Sequence, residues 1–248
     1  DEMTLLSGAG RTIAMSGNDE SIHPGVRLKN NQRYGHVVEV PKSAHEGDRY
    51  SRLFTACGVG DLTAVDVLQE AVVQWKRSGR GAENTYDVVI APGGSTEIRR
   101  WPTGRFRELV HRLRSSGIRQ IAVCGSRDEY SLLESISAGL PDDVALLCGR
   151  PLMEIAATVQ SASLIVGNEN GILHLAAALR RPTVVIQGGG HFGRYFPNEA
   201  VRVVHHPLDC FGCNWRCPFP EAYCLTRISV DDVMTAFIQS WERRGKTA

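Results

Sequence analysis

The sequence predicts an α/β fold built on a parallel, doubly wound sheet. Three observations carry that prediction. From residue 86 onward, short apolar runs alternate with longer amphipathic ones, the pattern of strands joined by crossover helices. The turns that follow the apolar runs are rich in Gly, Ser, Asn and Arg. In an open α/β sheet such turns sit at the carboxyl ends of the strands, where ligands bind. Finally, 42% of the residues are hydrophobic, enough for a domain-sized core and too many for a disordered chain.

Residues 1–85 are the less regular part. Asn18 to Gln32 is polar and turn-rich. Gly35 to Val40 reads as a short strand, and Asp48 to Cys57 as a helix with Tyr50, Leu53 and Phe54 on one face. Ser78 to Thr85 reads as a linker. This segment is too thin for a complete independent domain, so the expected division is 1–85 and 86–248.

In the second part the elements follow one another without a gap. Strands are expected at Asp87–Ala91, Arg119–Cys124, Val144–Leu147, Leu164–Val166 and Thr183–Gln187. Helices are expected at Thr103–Ser116, Glu129–Ala138, Leu152–Ser161, Ile172–Leu179 and Val230–Arg243. The first of these carries Phe106, Leu109, Val110 and Leu113 at helical spacing, and the last carries Val233, Phe237 and Trp241.

Composition narrows the partners. A formal charge of +1 gives no global field for nucleic acid or an anionic membrane. Nucleic acid is therefore not an expected partner, membrane contact is at most peripheral, and anion binding must come from local groups. No run approaches the roughly 18 apolar residues of a spanning helix. No signal peptide is visible and the first residue is Asp1, which reads as a processed or trimmed start. A cytosolic, reducing setting is the default. Of seven cysteines, Cys57, Cys124 and Cys148 lie in or beside apolar segments and are expected to act as small core residues.

Four turns carry candidate chemistry. In Pro92–Pro102, Gly93 and Gly94 permit close backbone approach, Ser95 and Thr96 offer hydroxyls, and Arg99 and Arg100 offer charge-assisted donors before Trp101-Pro102 opens a helix. That set suits a diphosphate, or is a strand-to-helix loop with surface arginines. In Gly167-Asn168-Glu169-Asn170-Gly171 the helix start can take a phosphate. Glu169 either accepts from sugar hydroxyls or caps the helix, and His174 points to the same mouth or makes a capping bond. In Gly188-Gly189-Gly190-His191 the glycines either admit a base or ribose or form a plain turn. In Gly125–Glu129, Glu129 either holds a ribose or is a favourable acid at a helix start.

Cys210, Cys213, Cys217 and Cys224 lie within fifteen positions. Four thiols so spaced can form a structural zinc site. Two disulfides or free thiols in a compact loop with Phe211, Trp215, Phe219 and Tyr223 are the alternatives.

The order of these loops resembles the carboxyl-terminal half of glycosyltransferase family 9, the heptosyltransferase-like enzymes. The residues that carry the resemblance are Pro92-Gly-Gly-Ser95, Arg99-Arg-Trp-Pro102, Gly125–Glu129, Gly167-Asn-Glu-Asn-Gly-Ile-Leu-His174 with Ala177-Ala178, and the Cys210–Cys224 segment. They span about residues 86–243. The resemblance implies a GT-B-type fold of Rossmann-like sheets, with residues 1–85 as a partial amino-terminal, acceptor-side domain. It implies a nucleotide-diphosphate sugar donor, a lipopolysaccharide or other glycan acceptor, and inverting transfer with no cofactor required for catalysis. By position, Ser95 contacts donor phosphate, Arg99 stands where the family has a phosphate-binding Lys, and Glu169 where it has an Asp that contacts the sugar. Asn170 replaces a Thr, Gly171 offers its amide to phosphate, and His174 keeps its place. Arg for Lys presents the charge as a fork rather than a point. Glu46, Asp48 and Arg49 are candidate acceptor-side residues. A non-catalytic nucleotide-binding module is the rival reading.

Overall fold

A computed structural model describes residues 8–16, 23–41, 44–59, 64–80, 85–141, 143–196 and 199–244. The chain divides into two compact units, Asp1–Thr63 with Gly193–Tyr195, and Ala64–Phe192 with Phe196–Ala248.

In the first unit β1 (Ile13–Met15) and β2 (His36–Val38) pair in parallel, with Ile13 opposite His36 and Met15 opposite Val38. Parallel neighbours need a crossover, and α1 (Pro24–Asn31) lies in it. This corrects the turn-rich reading of Asn18 to Gln32, of which residues 18–22 lie outside the described residues. Pro24 takes the first helical turn, where its missing N–H costs nothing, and His23 Nδ1 accepts the Gly25 N–H at 3.2 Å.

The predicted helix of the first unit is α2 (Glu46–Ala56), but its expected apolar face is not the buried one. Tyr50 and Phe54 are 50% and 44% exposed, while Arg49 is only 7% exposed. The reason is ionic. Glu46 Oε1 takes Arg194 Nη2 at 2.6 Å, and Glu46 Oε2 lies 3.6 Å from Arg49 Nε. Cys57, at the end of this helix, is exposed rather than a core residue.

The second unit begins with α3 (Ala64–Trp75), a helix not anticipated from the sequence, whose Val72 is fully buried. A kinked turn, Lys76–Arg80, with Gly79 at φ 73°, follows. The segment read as a linker starts inside that turn, and its residues 81–84 lie outside the described residues. Next come β3 (Val88–Ala91), α4 (Thr103–Ser115), β4 (Ile121–Gly125), α5 (Tyr130–Ser137), β5 (Val144–Cys148) and α6 (Leu152–Ser161). After these are β6 (Leu164–Asn168), α7 (Gly171–Ala178), β7 (Thr183–Ile186), β8 (Val201–Val204), α8 (Tyr223–Thr226) and α9 (Val230–Arg243). The five predicted strands and five predicted helices all form, and β8 and α8 are additions.

The sheet runs in the order β5-β4-β3-β6-β7-β8, every pair parallel. The chain walks outward from β3 through β4 to β5, then returns to the centre and walks the other way from β6 through β7 to β8. β3 and β6 are thus neighbours whose following loops diverge, which makes their carboxyl ends the topological switch point. The two loops that the sequence singles out first are the ones that leave these strands.

Strand alternation splits the core between two faces. Val88, Ile90, Ile121, Val123, Leu164, Val166, Val184 and Ile186 face one side, with Phe106, Leu109 and Leu113 of α4 and Val233 and Phe237 of α9. Val89, Ala91, Ala122, Cys124, Ile165 and Val185 face the other, with Val72 of α3, Ile155 and Val159 of α6, and Leu173 and Ala176 of α7. Buried on both faces, the strands read as unbroken apolar runs. Among the described residues no helix is long and apolar enough to cross a membrane.

Candidate donor site at the sheet switch point

Three side chains lock the two central loops together. Asn168 ends β6 with no exposed surface. Its Oδ1 accepts the Trp101 N–H at 3.0 Å, and its Nδ2 donates to the Pro92 carbonyl at 2.6 Å. Asn170 uses its whole amide. Its Nδ2 donates to Ala91 O and Gly93 O, each at 3.1 Å. Its Oδ1 accepts from Ile172 N at 2.9 Å and Leu173 N at 3.2 Å, capping α7. Glu129 reaches across from the loop after β4. Its Oε1 accepts the Gly94 N–H at 3.0 Å, and its Oε2 accepts from Ser126 N and Oγ at 2.9 and 3.1 Å. Asn168, Asn170 and Glu129, candidate donor-site residues from the sequence, thus hold the loops in place.

Two glycines permit this closeness. A Cβ on Gly93 would lie 2.1 Å from Glu129 Oε1, and one on Gly167 would lie 2.1 Å from the Ala91 carbonyl oxygen. Arg100 closes the first loop from within, with Nε and Nη2 both donating to Gly94 O at 3.0 and 2.8 Å. Gly94 is buried, and Ser95 and Thr96 are exposed at the tip.

The remaining candidate donor-site groups are Arg99, the Gly171 end of α7 and Glu169. Arg99 Nε is buried without a hydrogen-bond partner, and its guanidinium carbon lies 5.1 Å from the centroid of the Trp215 ring. Gly171 opens onto space, with nothing within 4 Å of where its Cβ would be. The dipole of the eight-residue α7 adds partial positive charge there. The Glu169 side chain is 11% exposed, with Oε1 3.9 Å from His191 Nδ1 and Oε2 accepting from Gln187 Nε2 at 3.2 Å. His191 is fixed in turn, because Nδ1 accepts the Trp215 indole N–H at 3.4 Å while Nε2 meets Asn214 Oδ1 at 3.0 Å. An accepting Nδ1 leaves the proton on Nε2, which donates to Asn214.

The glycines at 188–190 have a reason that spacing alone did not supply. A Cβ on Gly188 or Gly190 would lie 2.6 or 2.4 Å from atoms of the Trp215 ring, and one on Gly189 would lie 2.3 Å from Phe211. The face expected to admit a base or ribose is where these two rings pack. His174 stacks on Phe196, ring centroids 4.5 Å apart and 6° from parallel, and burial holds its pKa below the ordinary value. The packing face of α7 is Leu173 and Ala176, both fully buried, with Ile172 and Leu175 partly buried against the same core.

The seven cysteines are free thiols. Cys224 is buried, its thiol pushed up by desolvation and drawn down by a hydrogen bond from the Gly189 backbone. Cys217 Sγ lies 3.5 Å from Glu221 O. Among the described residues, no group of three or more His, Cys, Asp or Glu side chains could hold a metal ion. Trp215, His191 and Gln187 are the residues that sequence reasoning missed as parts of the site. The only sequence signals for them were the Gly-Gly-Gly-His run and one aromatic in the cysteine segment. The acceptor-side candidates lie in the first unit, where Glu46 is committed to Arg194 and Arg49, and Asp48 is exposed.

The sequence model for "Glycosyltransferase family 9 (heptosyltransferase)" matches residues 12–204. The chain belongs to glycosyltransferase family 9. The family match starts well before the residue-86 boundary of the loop resemblance, and it stops before the four thiols. Lipopolysaccharide heptosyltransferase 1 of Escherichia coli K12 is 31% identical over 171 residues, 68% of this chain and 53% of that protein. Lipopolysaccharide heptosyltransferase 3 of the same organism is 24% identical over 181 residues, 65% of this chain and 52% of that protein. The chain spans about half the length of these curated relatives. Among solved structures, the family 9 glycosyl transferase of Veillonella parvula superposes with a TM-score of 0.71 at 16% identity, covering 98% of this chain and 72% of that one. The Escherichia coli heptosyltransferase WaaC with ADP gives 0.65 at 20% identity, covering 88% and 62%. These likenesses establish the GT-B-type α/β fold of family 9.

Proposed function

We propose that this family 9 chain binds a nucleoside-diphosphate sugar at the β3–β6 switch point and passes the sugar to a hydroxyl of a lipopolysaccharide or other glycan acceptor, with inversion and without a metal. The acceptor oxygen attacks the anomeric carbon from the face opposite the diphosphate. The bond to the diphosphate breaks, its electron pair leaves with the phosphate, and a base takes the acceptor proton. Charge accumulates on the diphosphate, so donors aimed there lower the barrier. Arg99 and the Gly171 amide are suited to that task, and Glu169 suits sugar hydroxyls.

The observation that carries this reading is Arg99. Its buried Nε has no hydrogen-bond partner, and its guanidinium carbon lies 5.1 Å from the centroid of the Trp215 ring. An unsatisfied buried donor costs about 1–3 kcal/mol, which an anionic ligand would recover. The relatives' names point to a heptose, and the WaaC structure holds ADP, so ADP and ADP-heptose are the ligands to try first. Incubation with ADP-heptose and a heptose-free lipopolysaccharide core should release ADP and extend the acceptor. Binding of ADP-heptose with neither product formed would leave a nucleotide-sugar binding module in place of a transferase.

A further inference from the structure

The segment after β8 was read from sequence as a cysteine loop, but its Trp215 stands between the two ligand-facing groups of the site. One face of the indole lies under the Arg99 guanidinium, which comes from the β3 loop. Its N–H donates to His191, whose Nδ1 faces the Glu169 carboxylate from the β6 loop. The ring rests on Gly188 and Gly190, where any side chain would collide with it. Asn214 holds the other side of His191 and anchors its own backbone N–H to Gly190 O at 3.1 Å.

The backbone is bent to make this arrangement. Asn214 and Trp215 have φ of 50° and 62°, a left-handed conformation that residues with a Cβ rarely adopt in succession. A ring needed only to fill space over a glycine turn has no use for a second contact to His191 or for that strain. Strain of this kind persists where the surrounding structure fixes a functional geometry.

We infer that Trp215 is a positioning residue of the donor site, setting Arg99 through its ring face and, through its N–H, the orientation of the His191 ring that lies beside Glu169. This rests on the donor-site reading above and adds a third wall to it, the 210–217 segment. The two contacts separate by chemistry. Phe in place of Trp215 keeps a ring under Arg99, since cation–π attraction needs only the face, but it removes the donor to His191.

The test is calorimetric titration of the whole chain with ADP and with ADP-heptose. Trp215→Ala should weaken ADP binding by about fivefold or more. Trp215→Phe should recover ADP binding to within about twofold while losing the additional affinity that the sugar brings. His191→Leu should behave as Trp215→Phe does. Unchanged affinities for both ligands in Trp215→Ala and Trp215→Phe would overturn the inference. If the native chain binds neither ligand, the donor-site reading fails, and the positioning role is then read without ligand. The Trp215 indole N–H proton resonance should shift in His191→Leu and in Arg99→Lys. A resonance unmoved by both substitutions would overturn the inference separately, and this readout also serves if Trp215→Ala does not fold.

Discussion

Asn170 holds Gly93. Its amide nitrogen donates to the Gly93 carbonyl at 3.1 Å, and equally to Ala91, while its oxygen caps α7. One side chain therefore joins the loop after β3 to the helix after β6. Asn170→Ala removes the cap, worth about 1 kcal/mol, and strands carbonyls that had a partner, about 1 kcal/mol each. A loss of about 2–3 kcal/mol in urea unfolding is expected. Asn170→Thr keeps a capping oxygen but cannot donate twice, so it should fall between native and Ala.

Gly167 and Gly171 bracket the same loop and should respond in opposite ways. A Cβ at Gly167 meets a backbone oxygen of β3 at 2.1 Å, an atom that cannot swing aside. Gly167→Ala should cost about 1–3 kcal/mol or more. Gly171→Ala meets nothing within 4 Å and keeps the amide, so stability should stay within about 0.5 kcal/mol. Thermal unfolding of the two variants separates them.

The His174 ring gives a pH dependence. Burial lowers its pKa in the folded chain from the ordinary 6.5, so the unfolded chain binds the proton more readily. Stability therefore rises with pH in this range. The contribution is fully present above the unfolded value and is lost as pH falls from about 6.5 through the lowered folded value. His174→Phe keeps a ring against Phe196 and removes the titration. Urea midpoints measured from pH 7.5 downward should fall more steeply for the native chain. Parallel curves would remove His174 from the acid response.

The cysteines differ in reactivity for physical reasons. Cys124 is 1% exposed, and burial, with the Glu129 charge adding to it, pushes its thiol up to about 12. Cys57 is exposed. Mild alkylation of the folded chain near pH 8, read by peptide mass spectrometry, should mark Cys57 and leave Cys124 unmodified until the chain unfolds.

The sheet was legible because its physics is local. Strands buried on both faces are apolar runs, and the amphipathic helices Leu152–Ser161 and Val230–Arg243 form over the residues that their periodicity gives. The front of the chain was less legible. α1 hides in a polar stretch with Val26 and Leu28 half or more exposed, and α2 turns its charged side inward through an ion pair with Arg194, 148 residues away. β8 is a four-residue edge strand with an arginine in it, too short to stand out. At the site, the sequence located the right loops but not the division of labour within them. An Asn or Glu in a turn looks the same whether it binds ligand or fastens backbone. A glycine looks the same whether a ribose or Trp215 approaches it.

The central claim is that Arg99 awaits a diphosphate. Isothermal titration of the native chain with ADP, GDP, UDP and CDP, repeated on Arg99→Ala, tests it most directly. The account predicts saturable binding of at least one diphosphate, weakened about tenfold or more in the variant, which is about 1.4 kcal/mol. Equal affinity in a folded Arg99→Ala protein would contradict it.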